Sequence, residues 1–143
     1  MIYLDTSYIV KCYLREVGTS EVMALVQGSV GCSSAVHART EVWSAIHRRI
    51  RDKSISLSAA RNVWRQFESD EVLGVWRWLS LNQNVIKRAC EAFERLAPQV
   101  SLRSGDALHL ACAVENRFSD VYSGDRILLD AAPHFGLNGV TVY

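Results

Sequence analysis

The chain has 143 residues, 49% of them hydrophobic and 22% charged, with a formal net charge of +1. These values fit one globular domain and exclude a disordered or low-complexity chain. No apolar run approaches the ~18 residues that a membrane-spanning helix needs.

In chain order, Ile2-Tyr3-Leu4 reads as a short buried strand. Asp5-Thr6-Ser7 opens a helix running from Tyr8 to Leu14. Thr19 or Ser20 caps a second helix through Val26, closed by Gly28. Val30 to Ala35 reads as the second strand. Val42, Trp43, Ile46 and Ile50 have helical spacing and predict a helix to about Arg51. Ser58 is expected to cap the next, Ala59 to Glu68. Val75 to Leu79 predicts a third strand, with Trp76 and Trp78 expected on opposite faces. Asn84 to Leu96 is helical, and Pro98 follows its end. Gly105 to Phe118 is helical and almost wholly apolar between Ala107 and Val114, so it should be central and buried. Asp120 to Ser123 is a strand, Asp125 to Ala132 a helix and Gly139 to Tyr143 a last strand. Alternation of this kind predicts a single α/β domain over residues 1–143, with a mostly parallel sheet covered on both faces.

Several chemistries are missing. The chain has no G-x-x-x-x-G-K-[ST], G-x-G-x-x-G, G-x-S-x-G or H-E-x-x-H, which argues against nucleotide switches, dehydrogenases, serine hydrolases and zinc proteases. His37, His47, His109 and His134 show no metal-site spacing, and His109 reads as a hydrogen-bonded core histidine. Cys12, Cys32, Cys90 and Cys112 read as free buried thiols. Met1 to Asp5 lacks a basic segment and meets an acid too early for a signal peptide, so a cytoplasmic protein is expected.

What remains is acidic. Asp5 follows the first strand and Asp125 follows the strand ending near Ser123, and carboxyl ends of parallel strands form the ligand crevice. Asp106 lies in the first turn of the most buried helix, and Glu41 lies early in the helix after the second strand. Each has an ordinary alternative: helix capping for Asp5, Asp106 and Asp125, and a solvated face for Glu41, which lies opposite Val42, Ile46 and Ile50. Together they raise a charge problem. Two carboxylates ~4 Å apart repel by about 4 kcal/mol at an effective dielectric of about 20. Protons or a cation must sit among such a group, and oxygen donors without a His/Cys set select Mg²⁺ or Mn²⁺. Residues 36–65 carry seven Arg or Lys against two acids, a local excess of +5, which suits an anionic partner. Arg48, Arg49 and Arg51 are the candidate phosphate contacts of that segment.

Ile2-Tyr3-Leu4-Asp5-Thr6-Ser7, Arg39-Thr40-Glu41-Val42-Trp43, Leu102-Arg103-Ser104-Gly105-Asp106-Ala107-Leu108-His109-Leu110-Ala111 and Tyr122-Ser123-Gly124-Asp125-Arg126 together resemble the PIN-domain family. Within it the likeness is to VapC-type ribonuclease toxins of bacterial toxin–antitoxin pairs. The resemblance implies a three-layer sandwich with a central sheet of about four or five strands. It also implies an endoribonuclease that hydrolyses RNA phosphodiesters by metal-activated water. By the same resemblance Asp5, Glu41, Asp106 and Asp125 are the catalytic, metal-holding acids, with Ser7 and Ser123 accessory to them. Arg48, Arg49 and Arg51 then become RNA contacts, and a cognate antitoxin and a homodimer are the expected partners. The count of tryptophans at 64, 76 and 78 also favours a homodimer. The alternative is a PIN-fold module that binds RNA or protein without catalysis. A phosphatase built on Asp5 is disfavoured, because Ser7 stands where such enzymes place a second acid.

Overall fold

The computed structural model describes residues 1–143. Five short strands run in parallel: β1 (Ile2–Tyr3), β2 (Cys32–Ala35), β3 (Trp76–Leu79), β4 (Asp120–Tyr122) and β5 (Asn138–Val140). β1 pairs with β2 and β2 with β3, while β4 pairs with β5. A parallel bridge between Leu4 and Tyr122 joins the two groups, so the spatial order is β3-β2-β1-β4-β5. β1 therefore lies at the centre, and the order reverses beside it. That reversal is where a parallel sheet opens a crevice at its carboxyl edge.

Seven helices cover the sheet: α1 (Thr6–Lys11), α2 (Thr19–Gly28), α3 (Ala38–Arg51), α4 (Leu57–Val72), α5 (Gln83–Arg95), α6 (Ser104–Glu115) and α7 (Arg126–Ala131). Side-chain alternation along the strands splits the core into two layers. Tyr3, Ala35, Leu79 and Val121 face a cluster with Leu110, Leu128 and other residues of α5, α6 and α7. Leu4, Cys32 and Trp76 face the other cluster, built with Ile9, Val42, Ile46 and Phe67 of α1, α3 and α4. This is the expected α/β three-layer sandwich. The expected burial of α6 holds as well: Ala107 and His109 through Ala113 are all buried.

Boundaries differ for local reasons. α4 begins earlier than expected because Ser56, not Ser58, accepts the Ala59 N–H. It also runs past Glu68, where Asp70 accepts from Tyr13 and Glu71 pairs with Arg39. α1 stops at Lys11 rather than Leu14, and the α2 N-cap is Gly18, in left-handed conformation, rather than Thr19 or Ser20. Trp76 and Trp78 share one face, as residues two apart in a strand must. The Trp76 indole donates to Tyr13 at 2.7 Å and Trp78 packs on Phe67. Trp64 stacks on Trp43 at 4.9 Å, while the Trp64 and Trp78 indole N–H groups are buried without a hydrogen-bond partner. All four cysteines are free, but Cys90 is exposed. No helix is long and apolar enough to cross a membrane.

Leu110 is fully buried on α6, between the sheet and α5. Leu110→Ala is expected to cost roughly 2–5 kcal/mol. Urea denaturation should show a lower midpoint at unchanged slope.

Candidate active site

The carboxyl edge of β1 delivers Asp5 into the crevice. It is the N-cap of α1, and its Oδ1 accepts from the Tyr8 N–H at 3.3 Å and the Ser7 hydroxyl at 2.6 Å. Its Oδ2 accepts from the Ser123 hydroxyl at 2.8 Å. The carboxylate is only 5% exposed and has no Lys or Arg partner. Burial pushes its pKa up, against the opposing pull of His109 and the two hydroxyls.

Ser7 and Ser123 bind the neighbouring loop as well as Asp5. Ser123 Oγ accepts from the Asp125 N–H and Ser7 Oγ accepts from the Gly124 N–H. Asp125 caps α7 by accepting from the Ile127 N–H at 2.9 Å. Its other oxygen meets Arg103, whose Nε also donates to Asp106 at 2.7 Å. Capping and site placement thus coexist in Asp5 and Asp125, whereas Asp106 caps nothing. Gly124 lets the Tyr143 hydroxyl approach closely: a Cβ would lie 1.9 Å from it.

Glu41 does not lie on a solvated face. Its stripe on α3, with Ser44, Arg48 and Arg51, turns into the crevice while Val42 and Ile46 enter the core. The Glu41 carboxylate accepts from Thr6 and meets His109 Nε2 at 3.0 Å. Tyr3 Oη accepts the Ala35 N–H and lies 3.1 Å from His109 Nδ1. In a neutral ring this pattern puts the proton on Nε2, aimed at Glu41. Burial raises the Glu41 pKa, but His109, Thr6 and His37 outweigh it and hold it at about 2. His37, one turn before Glu41, is pushed down to about 4 by burial and by His109, and so is neutral. Gly105 makes room for this arrangement, since a Cβ there would lie 2.7 Å from Glu41 Oε1.

One cavity of about 580 Å³ is lined by Asp5, Glu41, Asp106 and Asp125 together. The sequence matches the PIN domain family over residues 2–133. The chain belongs to the PIN domain family. VapC20 of Mycobacterium tuberculosis, described as a sarcin–ricin-loop-cleaving toxin, has the same fold at 18% identity and a TM-score of 0.71, over 92% of this chain and 95% of that one. FitAcB from Neisseria gonorrhoeae aligns at 14% identity with a TM-score of 0.72, over 97% of this chain and 96% of its own. VapBC2 from Rickettsia felis, bound to a DNA fragment from their promoter, aligns at 14% and 0.67, over 99% and 98%. No curated protein matches the sequence.

PIN nucleases generally use divalent metals; here the four carboxylates share one cavity, while only His37, Glu41 and His109 bring ligand atoms within 4.8 Å of one another. Arg103 is the single Lys or Arg paired with any of the four acids, and it reaches only Asp106 and Asp125. Three formal negative charges remain on oxygen donors, which suits a hard divalent cation.

The expected basic contacts divide. Arg48 and Arg51 line the cavity, with His47 beside them. Arg49 instead pairs with Glu16, which also holds Lys11. Its position on α3, off the Glu41 stripe, points it toward α1. Arg103, His37 and His47 escaped the sequence reading. The signals available were the i,i+3 pair Arg103–Asp106 and the i,i+4 pair His37–Glu41.

Asp5 and Glu41 should respond to charge removal with opposite signs. The raised Asp5 pKa means its contribution to stability is present below the ordinary carboxylate value and lost as pH rises through the folded one. The lowered Glu41 pKa means its contribution is present above the ordinary 4.5 and lost as pH falls toward about 2. At pH 7 in EDTA, Asp5→Asn should therefore raise the melting temperature and Glu41→Gln should lower it.

Proposed function

We propose that this PIN domain is a Mg²⁺- or Mn²⁺-dependent endoribonuclease and the toxin component of a type II toxin–antitoxin pair. The reading rests on one observation: four acids from four chain segments line one cavity whose rim continues into Arg48 and Arg51. The relatives agree with it. VapC20 is described as a loop-cleaving toxin, and a structure from Klebsiella pneumoniae described as a toxin–antitoxin complex aligns over the whole chain at 13% identity and a TM-score of 0.61.

In this reading Asp5, Asp106 and Asp125 hold the ion and Glu41 completes its shell or orients a water. A divalent ion in such a site polarises a phosphoryl oxygen and lowers the pKa of water. The chain's own residues do the rest. Ser7 and Ser123 fix both oxygens of Asp5 and tie them to the backbone that carries Asp125. Thr6 and His109 fix the Glu41 carboxylate. Arg48 and Arg51 hold the RNA backbone by charge. The attack on phosphorus does not use the 2′-hydroxyl, so products carry 5′-phosphate and 3′-hydroxyl ends. The partners in this reading are RNA, a cognate antitoxin and a second copy of the chain, in the cytoplasm.

Incubation with total cellular RNA should give new 5′-phosphate ends with Mg²⁺ or Mn²⁺ and none with EDTA. Asp106→Asn should lower the cleavage rate by roughly 10²–10³, the usual cost of an electrostatic group at a reacting centre. Cyclic phosphate ends would reject the mechanism. RNA binding without cleavage, with no metal-dependent thermal stabilisation, would favour the non-catalytic module. Arg48→Ala and Arg51→Ala should each reduce the salt slope of RNA binding by about one. Arg49→Ala should leave that slope unchanged, because its guanidinium is engaged with Glu16.

A further inference from the structure

Beside the aspartates lies a second donor set of different chemistry. His37 Nε2 stands 3.9 Å from one Glu41 oxygen and His109 Nε2 stands 3.0 Å from the other. One ligand atom from each of His37, Glu41 and His109 falls within 4.8 Å of the others. A tetrahedral zinc site with Zn–N of ~2.0–2.1 Å separates its ligand atoms by about 3.3 Å. The three ligand atoms, all within 4.8 Å of one another, lie close enough for a small inward adjustment to reach that spacing. The two imidazoles are in contact, with ring centroids 4.3 Å apart and planes at 47°.

One of the two histidines also has the surroundings of a metal ligand. A metal-binding histidine usually gives its other ring nitrogen to a fixed partner. For His109 that partner is the Tyr3 hydroxyl, at 3.1 Å from Nδ1, which can accept as well as donate. His37 Nδ1 is buried with no partner, and its Nε2 faces two acceptors, Gly105 O at 3.2 Å and Glu41. Access is provided by the open cavity, which Glu41 and His109 both line.

The geometry points to a His37–Glu41–His109 site for a borderline transition ion, Zn²⁺ above all, separate from the oxygen-only aspartate site but sharing Glu41 with it. Imidazole favours zinc where carboxylate favours magnesium, so the two sites sort ions by ligand chemistry. Zinc here fixes Glu41 between two histidines and withdraws it from the aspartates, which makes the site an inhibitory one. That regulatory consequence rests on the nuclease reading; the binding site itself does not.

Co²⁺, a spectroscopic stand-in for Zn²⁺, tests it on the full chain. The wild type should develop the intense visible absorption of a low-coordinate Co²⁺ site with nitrogen ligands, and Zn²⁺ should bleach it. Asp106→Asn should keep that absorption even though it slows RNA cleavage, which separates failure of this site from failure of the nuclease reading. His37→Gln and His37→Ala, each checked for native circular dichroism, should weaken Co²⁺ binding by at least about tenfold. His109→Gln should do the same. Absence of the band in the wild type, or equal affinity in the wild type and the folded histidine variants, overturns the proposal.

Discussion

The molecule is organised around a carboxylate buried at the end of its central strand. Asp5 sits 5% exposed with no basic partner, and its two oxygens are held by hydroxyls and one backbone N–H. An ionised carboxylate so placed is expensive unless its lone pairs are filled or a cation approaches. The chain fills them with Ser7 and Ser123, and each of these also binds the backbone of the loop between β4 and α7. The same bonds that satisfy Asp5 therefore fix Asp125. Two acids that are 120 residues apart become one geometric unit because a buried charge must be satisfied.

α3 solves a second problem. It must cover the sheet and also present polar groups to the crevice. Val42 and Ile46 do the first, and the stripe from Glu41 to Arg51 does the second. The stripe changes sign along its length, with the acid near the sheet edge and the cations in the last turns, where they also suit the helix dipole. Glu41 reaches inward far enough that α6 needs a glycine opposite it. Thr6 and His109 then both hold Glu41 Oε2, with Tyr3 behind the imidazole.

Charge balance explains the remaining member. Arg103, at the N-cap of α6, bridges Asp106 and Asp125 but does not reach Asp5. One guanidinium holds two carboxylates apart at a fixed spacing and still leaves the cavity strongly acidic. The cavity thus carries its acids at one end and Arg48 and Arg51 at the other.

Much of this was legible in the linear chain. Alternating strands and helices gave the α/β sandwich, and strand-end acids gave Asp5 and Asp125, because hydrophobic period and the position of a residue after a strand are local properties. The family motif pointed to Glu41, which periodicity alone put on a solvated face. Tertiary structure decided the rest. A helix stripe opposite the core can face water or a crevice, and only packing of α3 against α1 and α4 makes it face the crevice. Which face of the fold an arginine of α3 reaches is likewise set by neighbours distant in sequence: Arg49 pairs with Glu16, while Arg48 and Arg51 line the cavity. The meeting of His37 with His109 follows from the approach of α3 to α6, since no spacing along the chain encodes a contact between residues 72 positions apart.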